Sequence, residues 1–408
     1  MDPVFNLTTD DRARFQKENV LNTSTEPWSP VEGANGRLRV IASEVVHASI
    51  EMRELSRGVY LIVQPGLIQS WEEFKQSVPS HAVALDGRVA DKTRFDLRQK
   101  KWNYDHHIGV DRSATASTCR QVFDAICNNG LMRHLAVENG SKRIFIYVKE
   151  PDPDVGFAVC FLKNHDLLQS GVYSVKLMPL LELEDRFDRF CGVVRCNPRD
   201  VWVRKLAWVC EPYEVARMED QKNFAKLSAG AMTDVIEEVG RRLEVYIRGN
   251  ANGESRRLDT RYMEIGGGEG WSLVLEKGFY ARVGLARDAD RLGRDGCISV
   301  RMLSEDRWMY TIIKLSPFSS FPIEALYRVF NAAEGIPLNA LYRWGGSDFG
   351  GGSPYHVGSA LSPEMIERIV NALLCYQKEA ELSDEMLTRF ICEKIPVLLE
   401  SCGRQRVH

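Results

Sequence analysis

Lys101-Trp-Asn-Tyr-Asp-His-His-Ile-Gly-Val-Asp-Arg-Ser-Ala-Thr-Ala-Ser-Thr118 is the stretch whose reading decides the fold. Its short apolar-aromatic start predicts a buried strand, and Asp105, His106 and His107 leave the carboxyl end of that strand side by side. Polar and small residues follow, and Cys119-Arg-Gln-Val-Phe-Asp-Ala-Ile126 then predicts a helix. Open α/β sheets put their ligand sites at the carboxyl ends of strands. A carboxylate with imidazoles suits a borderline divalent cation such as Mn²⁺. The plain alternative is a solvated loop that carries two histidines.

Working outward, Gly58-Val-Tyr-Leu-Ile-Val63 is an apolar run of the parallel-strand kind, ended by Pro65-Gly66, and a helix passes through Trp71 and Phe74. His81-Ala-Val-Ala-Leu-Asp86-Gly87 predicts a second strand, with Asp86 at the same sheet edge as Asp105 and a crossover through 93–98 between them. Alternating strands and helices argue for a parallel sheet. Taken alone, Asp86 reads as a cap or turn residue. Arg143-Ile-Phe-Ile-Tyr-Val148 is another strand and runs into Lys149-Glu-Pro-Asp-Pro-Asp-Val-Gly156, with a helix from about 155. Acids at a helix start can be caps, but one cap needs one acid, whereas Glu150, Asp152 and Asp154 are three. Like charges this close are usually tolerated around a cation. If the 143–148 strand is parallel to those ending at Asp86 and Asp105, the acids converge; if it is antiparallel, they face away. Residues 38–56 show helical spacing, and the acids Glu182, Glu184, Asp185 and Asp188 read as a solvated helix face, with Asp185 a further ligand candidate.

The chain has 408 residues, which suggests two domains. An apolar fraction of 44%, a charged fraction of 27% and a net charge of −3 are ordinary for a soluble globular protein. They argue against a nucleic-acid coat or an anionic membrane as partner. The ten cysteines include no Cys-x-x-Cys pair, so reduced thiols and a cytoplasmic location are expected. No apolar run approaches the ~20 residues needed to span a bilayer.

The organisation expected is a polar arm over 1–36, an α/β domain with a parallel sheet over 37–210, and a connecting helix and linker over 211–253. A smaller α+β domain with a mixed or antiparallel sheet covers 254–380, and a C-terminal helix covers 381–408. In the second half, strands are predicted at 272–275, 280–283, 297–302 and 308–313, with helices at 322–334, 362–378 and 383–401. Between the first two of those helices lies Arg343-Trp-Gly-Gly-Ser-Asp-Phe-Gly-Gly-Gly-Ser-Pro-Tyr-His-Val-Gly-Ser-Ala360, read as a glycine-rich loop whose amides cradle an anion.

The Asp105-His106-His107 triplet resembles that of the DHH phosphoesterase superfamily, and the glycine-rich stretch resembles the signature of its DHH-associated, substrate-binding domain. Gly350, Gly351, Gly352, Pro354 and Gly358 keep their places in that signature, while Ser353 stands for its histidine and His356 with Val357 for its alanines. The resemblance covers most of 58–378. It implies that Asp86 and His106 bind Mn²⁺, with Mg²⁺ as the alternative, that His107 contacts the scissile phosphate, and that Asp105 holds the cluster in place. Lys314 and Ser316 would correspond to an Arg-Ser pair facing the substrate, and Arg343, at the start of the glycine-rich stretch, is a further substrate-binding candidate. The family's first motif, a histidine followed by Asp-x-Asp, has no counterpart at Val63-Gln-Pro-Gly-Leu-Ile-Gln-Ser70. An Asp-x-Asp pair occurs instead at Asp152 and Asp154, with Glu150 as a hard oxygen ligand in place of the histidine.

Two functions follow. One is a metal-dependent phosphoesterase acting on a nucleotide, a short oligonucleotide or a cyclic dinucleotide, with neither a membrane nor a long duplex nucleic acid as partner; a homodimer is compatible with it. The other is a catalytically degenerate relative that binds a nucleotide or metal as a sensor or scaffold.

Overall fold

A computed structural model describes residues 50–135, 143–173, 175–219, 227–340, 342–354, 357–379 and 383–403. The polar arm over 1–36 and His356 lie outside the described residues.

The first domain is built on a six-stranded sheet: β1 (Glu51–Ser56), β2 (Val59–Val63), β3 (Ala82–Leu85), β4 (Arg94–Asp96), β5 (Lys101–Tyr104) and β6 (Ile144–Val148), in the order β1-β2-β6-β3-β5-β4. The four central strands are mutually parallel, so β2, β3, β5 and β6 end at one edge, while β1 and β4 close the sheet as antiparallel borders. The apolar runs of β2, β3 and β6 are buried because helices cover both faces. Those helices are α1 (Trp71–Ser77), α2 (Thr118–Cys127), α3 (Leu131–His134), α4 (Pro153–Lys163), α5 (His165–Gln169), α6 (Leu177–Arg189), α7 (Val201–Glu219) and α8 (Ala229–Ile247). Leu206 and Val209 of α7 and Ile236, Val239 and Leu243 of α8 pack into the same core as β2, β5 and β6.

The second domain holds a six-stranded sheet of order β11-β12-β10-β9-β8-β7, formed by β7 (Tyr262–Gly268), β8 (Trp271–Glu276), β9 (Gly296–Ser304), β10 (Arg307–Lys314), β11 (Gly345–Gly346) and β12 (Gly350–Gly352). It is antiparallel except between β8 and β9, which the crossover helix α9 (Ala281–Leu292) joins in parallel. Four further helices are α10 (Ile323–Ala333), α11 (Pro363–Glu379), α12 (Asp384–Glu393) and α13 (Ile395–Gly403). No helix among the described residues is long and apolar enough to cross a membrane.

Several local expectations are corrected. Residues 51–56 are not helical but form β1, an edge strand whose outer side is wet and therefore lacks a strand's apolar signature. The 93–98 crossover contains β4, paired antiparallel with β5. The 280–283 strand is the start of α9: four alternating residues are too short a window to separate the two periods, and the buried positions continue as Leu285, Ala286 and Ala289. The connecting helix expected within 211–253 is two helices, α7 and α8, and the 383–401 helix is also two. The glycine-rich loop contains the strands β11 and β12.

Candidate metal centre at the sheet edge

Each central strand of the first sheet delivers polar groups to the shared carboxyl edge. Asp86 follows β3 in a left-handed conformation (φ 51°), and Gly87 continues it at φ 68°. That region is sparsely used by residues with a Cβ, Asp being among those that tolerate it. The Asp86 amide donates to the Tyr104 carbonyl (3.0 Å), tying the ends of β3 and β5 together, and its carboxylate accepts from the Thr118 hydroxyl (3.1 Å).

Asp105 is fully buried. Its amide donates to the Thr93 hydroxyl (2.9 Å), and its Oδ1 lies 2.8 Å from His107 Nδ1. Burial would lower the His107 pKa, but the Asp86 charge and the Asp105 hydrogen bond outweigh it and hold it above the ordinary histidine value. His106 is fully buried, and neither of its ring nitrogens has a hydrogen-bond partner. Its Nε2 comes within 2.6 Å of Asp188 Oδ2 and 3.7 Å of Asp86 Oδ1. Nε2 thus makes an ion-pair contact with Asp188, and Nδ1 is left without a partner.

The segment after β6 supplies Lys149, Glu150, Asp152 and Asp154. Asp152 caps α4 through Val155 N (2.8 Å), with Pro153 at the first helical position. Asp154 accepts from the amides of Thr118 and Cys119, each at 2.8 Å, and so caps α2. Capping accounts for both acids because two helices start here. Each carboxylate oxygen nevertheless keeps a lone pair after accepting one bond.

Asp188 does not stand out in the sequence, because its helix reads as a solvated face. In the structure α6 turns Glu184, Asp185 and Asp188 inward. Asp185 accepts from Ser117 N (2.7 Å) and pairs with Arg189 (3.1 Å), so it anchors the start of α2. Glu184 sits against the Cys210 thiol (3.8 Å). Asp188 reaches His106, and Arg112 donates to its backbone carbonyl (2.9 Å). The i, i+3 spacing of Asp185 with Asp188 and i, i+4 spacing of Glu184 with Asp188 was the available signal: it puts the acids on one helix side.

Three groups result in which one ligand atom per residue lies within 4.8 Å of the others: Asp86 with His106 and His107; His106 with Asp154 and Asp188; Asp86 with Glu150 and Asp152. The electrostatics show what crowding costs. Burial, then the neighbouring Asp188 and Asp86 charges, push the Asp154 carboxyl well above its ordinary value. Asp152 is pushed up by burial and by Asp86 and Glu150. Burial also acts against the charged forms of Asp86 and Asp188, but the histidines, aided by Lys149 at Asp86 and Arg112 at Asp188, hold both below the ordinary range. A buried imidazole with no hydrogen bond, facing carboxylates that repel one another, fits a divalent cation bound by nitrogen and oxygen.

The site opens into a cleft between the domains. A cavity of about 240 Å³ has Arg112, Asp152 and Asp188 on one wall and Glu276, Tyr280 and Arg282 on the other. A neighbouring cavity of about 270 Å³ joins Glu150 to Thr311, Gly351, Gly352 and Ser353, and Arg217 lines both. The glycines do not form an anion-cradling loop. β12 runs antiparallel to β10 and β11, and the Gly350 amide goes to the Ser347 hydroxyl (3.1 Å). A Cβ on Gly351 would stand 2.2 Å from the Gly345 carbonyl oxygen, so close strand packing is what requires glycine there. The Ser353 hydroxyl accepts from Tyr310 N (3.0 Å). Gly358 follows in a left-handed turn (φ 63°). Lys314 ends β10, and Ser316 accepts from Phe318 N (3.2 Å); neither lines these two cavities. Arg343 lines a different cavity, with Arg328 and Asp384.

No family model, curated protein or solved structure matches the chain.

Proposed function

We propose that the chain is a metal-dependent phosphoesterase, a diverged relative of the DHH enzymes. It would work in the cytoplasm on a nucleotide, a short oligonucleotide or a cyclic dinucleotide, with Mn²⁺ or, in its place, Mg²⁺. The observation that carries this reading is His106: fully buried, without a hydrogen bond at either ring nitrogen, and 2.6 Å from Asp188 Oδ2. Nδ1 is the nitrogen left without any partner, and a buried polar atom left so costs about 1–3 kcal/mol.

A divalent ion bound there would supply Lewis acidity and neutralise phosphate charge. The chain's own residues do the rest. Asp105 takes His107 Nδ1, so Nε2 is the nitrogen left to meet a phosphate oxygen. Thr118 and Cys119 hold the Asp154 carboxylate, and Thr118 holds Asp86, so these oxygens need little reorganisation to bind a cation. Arg112, Arg217 and Arg282 line the cleft and suit an anionic substrate. A non-catalytic ligand-binding role is favoured by one observation: the carboxyl end of β2 carries no acid but Gln64, whose Oε1 accepts from the buried Arg88 guanidinium (2.6 Å).

Metal analysis of untagged protein, followed by a phosphoesterase substrate panel with Mn²⁺, separates the two. The enzyme reading expects bound metal and hydrolysis that His106→Ala abolishes. Metal binding without turnover of any phosphodiester or phosphoanhydride would leave the binding role.

A further inference from the structure

We infer that this chain holds a single divalent ion, in the group of His106, Asp154 and Asp188, and that the Lys149 ammonium takes the place of a second ion among Asp86, Glu150 and Asp152. The inference rests on the metal-dependent reading above and deepens it.

The two acidic groups are adjacent, and each is compact enough to hold a cation. They differ in what already fills them. Lys149 follows the last residue of β6, and its Nζ is paired with Glu150 Oε1. Burial acts against the charge on this ammonium, but Glu150, then Asp86 and Asp152, the three members of that group, keep it charged. The lysine lies in a slot made by a missing side chain: a Cβ on Gly87 would stand 2.9 Å from Lys149 Cε and 3.5 Å from Nζ. The Lys149 side chain is only 17% exposed, so it is seated there rather than passing by.

The other group has no such occupant. Arg112 donates to the Asp188 backbone carbonyl (2.9 Å) and reaches its carboxylate only at 3.4 and 3.5 Å, longer than the Lys149–Glu150 pair, and His106 Nδ1 remains without a hydrogen bond. Imidazole also selects for a borderline divalent ion, which three carboxylates do less well. A divalent ion bound to Asp86, Glu150 and Asp152 at roughly 2.0–2.2 Å from their oxygens would lie within a few ångströms of the ammonium. Like charges at that distance in a half-dry site repel strongly. A second ion therefore has to displace Lys149 from the Gly87 slot. The lysine carries its positive charge on the chain, so this half of the site is filled at any metal concentration.

The test is a count. Metal-free wild-type protein, prepared with a chelator, is titrated with Mn²⁺ alone by calorimetry and equilibrium dialysis, and the bound ions are quantified. One ion per chain is expected in the wild type and two in Lys149→Met, which keeps the apolar stem and loses the charge. Glu150→Gln should keep one ion. Circular dichroism establishes that each variant is folded, and the wild-type count stands even if a variant is not. Two ions in the wild type would overturn the inference and leave the metal-dependent reading intact. So would a count that stays at one in folded Lys149→Met, or loss of the ion in Glu150→Gln. No ion in the wild type would remove the metal-dependent reading itself.

Discussion

As sequence, the carboxyl edge of the first sheet resembles the β11–β12 corner of the other sheet: both are dense in residues that often mark ligand sites. Their physical states are opposite. At the first edge, His106 and the Asp105 Oδ2 atom are buried without hydrogen bonds, and carboxylates raise one another's pKa. At the β11–β12 corner, Gly350–Gly352 are flanked by strands on both sides, and Ser353 is bonded to Tyr310 through backbone and hydroxyl. Unsatisfied buried polar groups call for a ligand, whereas satisfied ones account for themselves through packing. The comparison separates residues that need something from outside the chain from residues that need only each other.

The sharpest way to break it is Gly351→Val. The new side chain meets backbone on the neighbouring strand, 2.2 Å from an oxygen that cannot move without the sheet. A loss of more than about 3 kcal/mol is expected, read by urea unfolding. Weakened ligand binding at unchanged stability would instead make the corner a binding loop.

The next largest effect probes the first edge. At a hundredfold excess of Mn²⁺ over its dissociation constant, the ion should stabilise the wild type by about 2.7 kcal/mol. Asp188→Asn should remove most of this gain, and the metal-free melting point should fall as well, because His106 and Arg112 lose their charged partner. A full Mn²⁺ shift in the variant would take Asp188 out of the site.

Two buried glutamates set a pH dependence. Burial, then the Asp188 charge, pushes Glu184 up to about 8, and burial pushes Glu214 up to about 7, against an ordinary value of 4.5. The folded protein keeps protons that the unfolded chain has already released, so stability is greatest below about pH 4.5 as far as these groups are concerned. It falls as pH rises and levels off above about 8, with a slope of about 1.4 kcal/mol per pH unit for each group within its window. Melts in chelator between pH 5 and 9 should show the decline, and Glu184→Gln should flatten its upper part. An unchanged slope in that variant would mean Glu184 is ionised in the fold.

The smallest effect belongs to Ser353→Ala, which leaves the Tyr310 amide without its hydroxyl partner and should cost about 1 kcal/mol. Mn²⁺ binding should be untouched. A change in ion affinity would connect the two regions that the comparison separates.

Much of the architecture was legible in the sequence for a simple reason. Apolar runs such as 59–63 and 144–148 are buried on both faces, so their composition carries the strand signal without help from neighbours. The capping chemistry at Asp152-Pro153 was equally local. Half-wet elements were not legible: β1 and β4 have one polar side, and the start of α9 is too short to show its period. Nor could local pattern tell which glycines bend and which pack, since Gly351 is required by a carbonyl on a neighbouring strand. Local composition was enough for the parallel sheet, the mixed sheet after it and the strand-end placement of Asp86, Asp105, His106, Asp152 and Asp154. Tertiary packing was needed to turn α6 inward and bring Asp188 to His106, to make Asp185 an anchor, and to lay Lys149 in the Gly87 slot. Those outcomes depend on which face of a helix meets the sheet edge and on where strands approach one another, and both are set by packing between elements far apart in the chain.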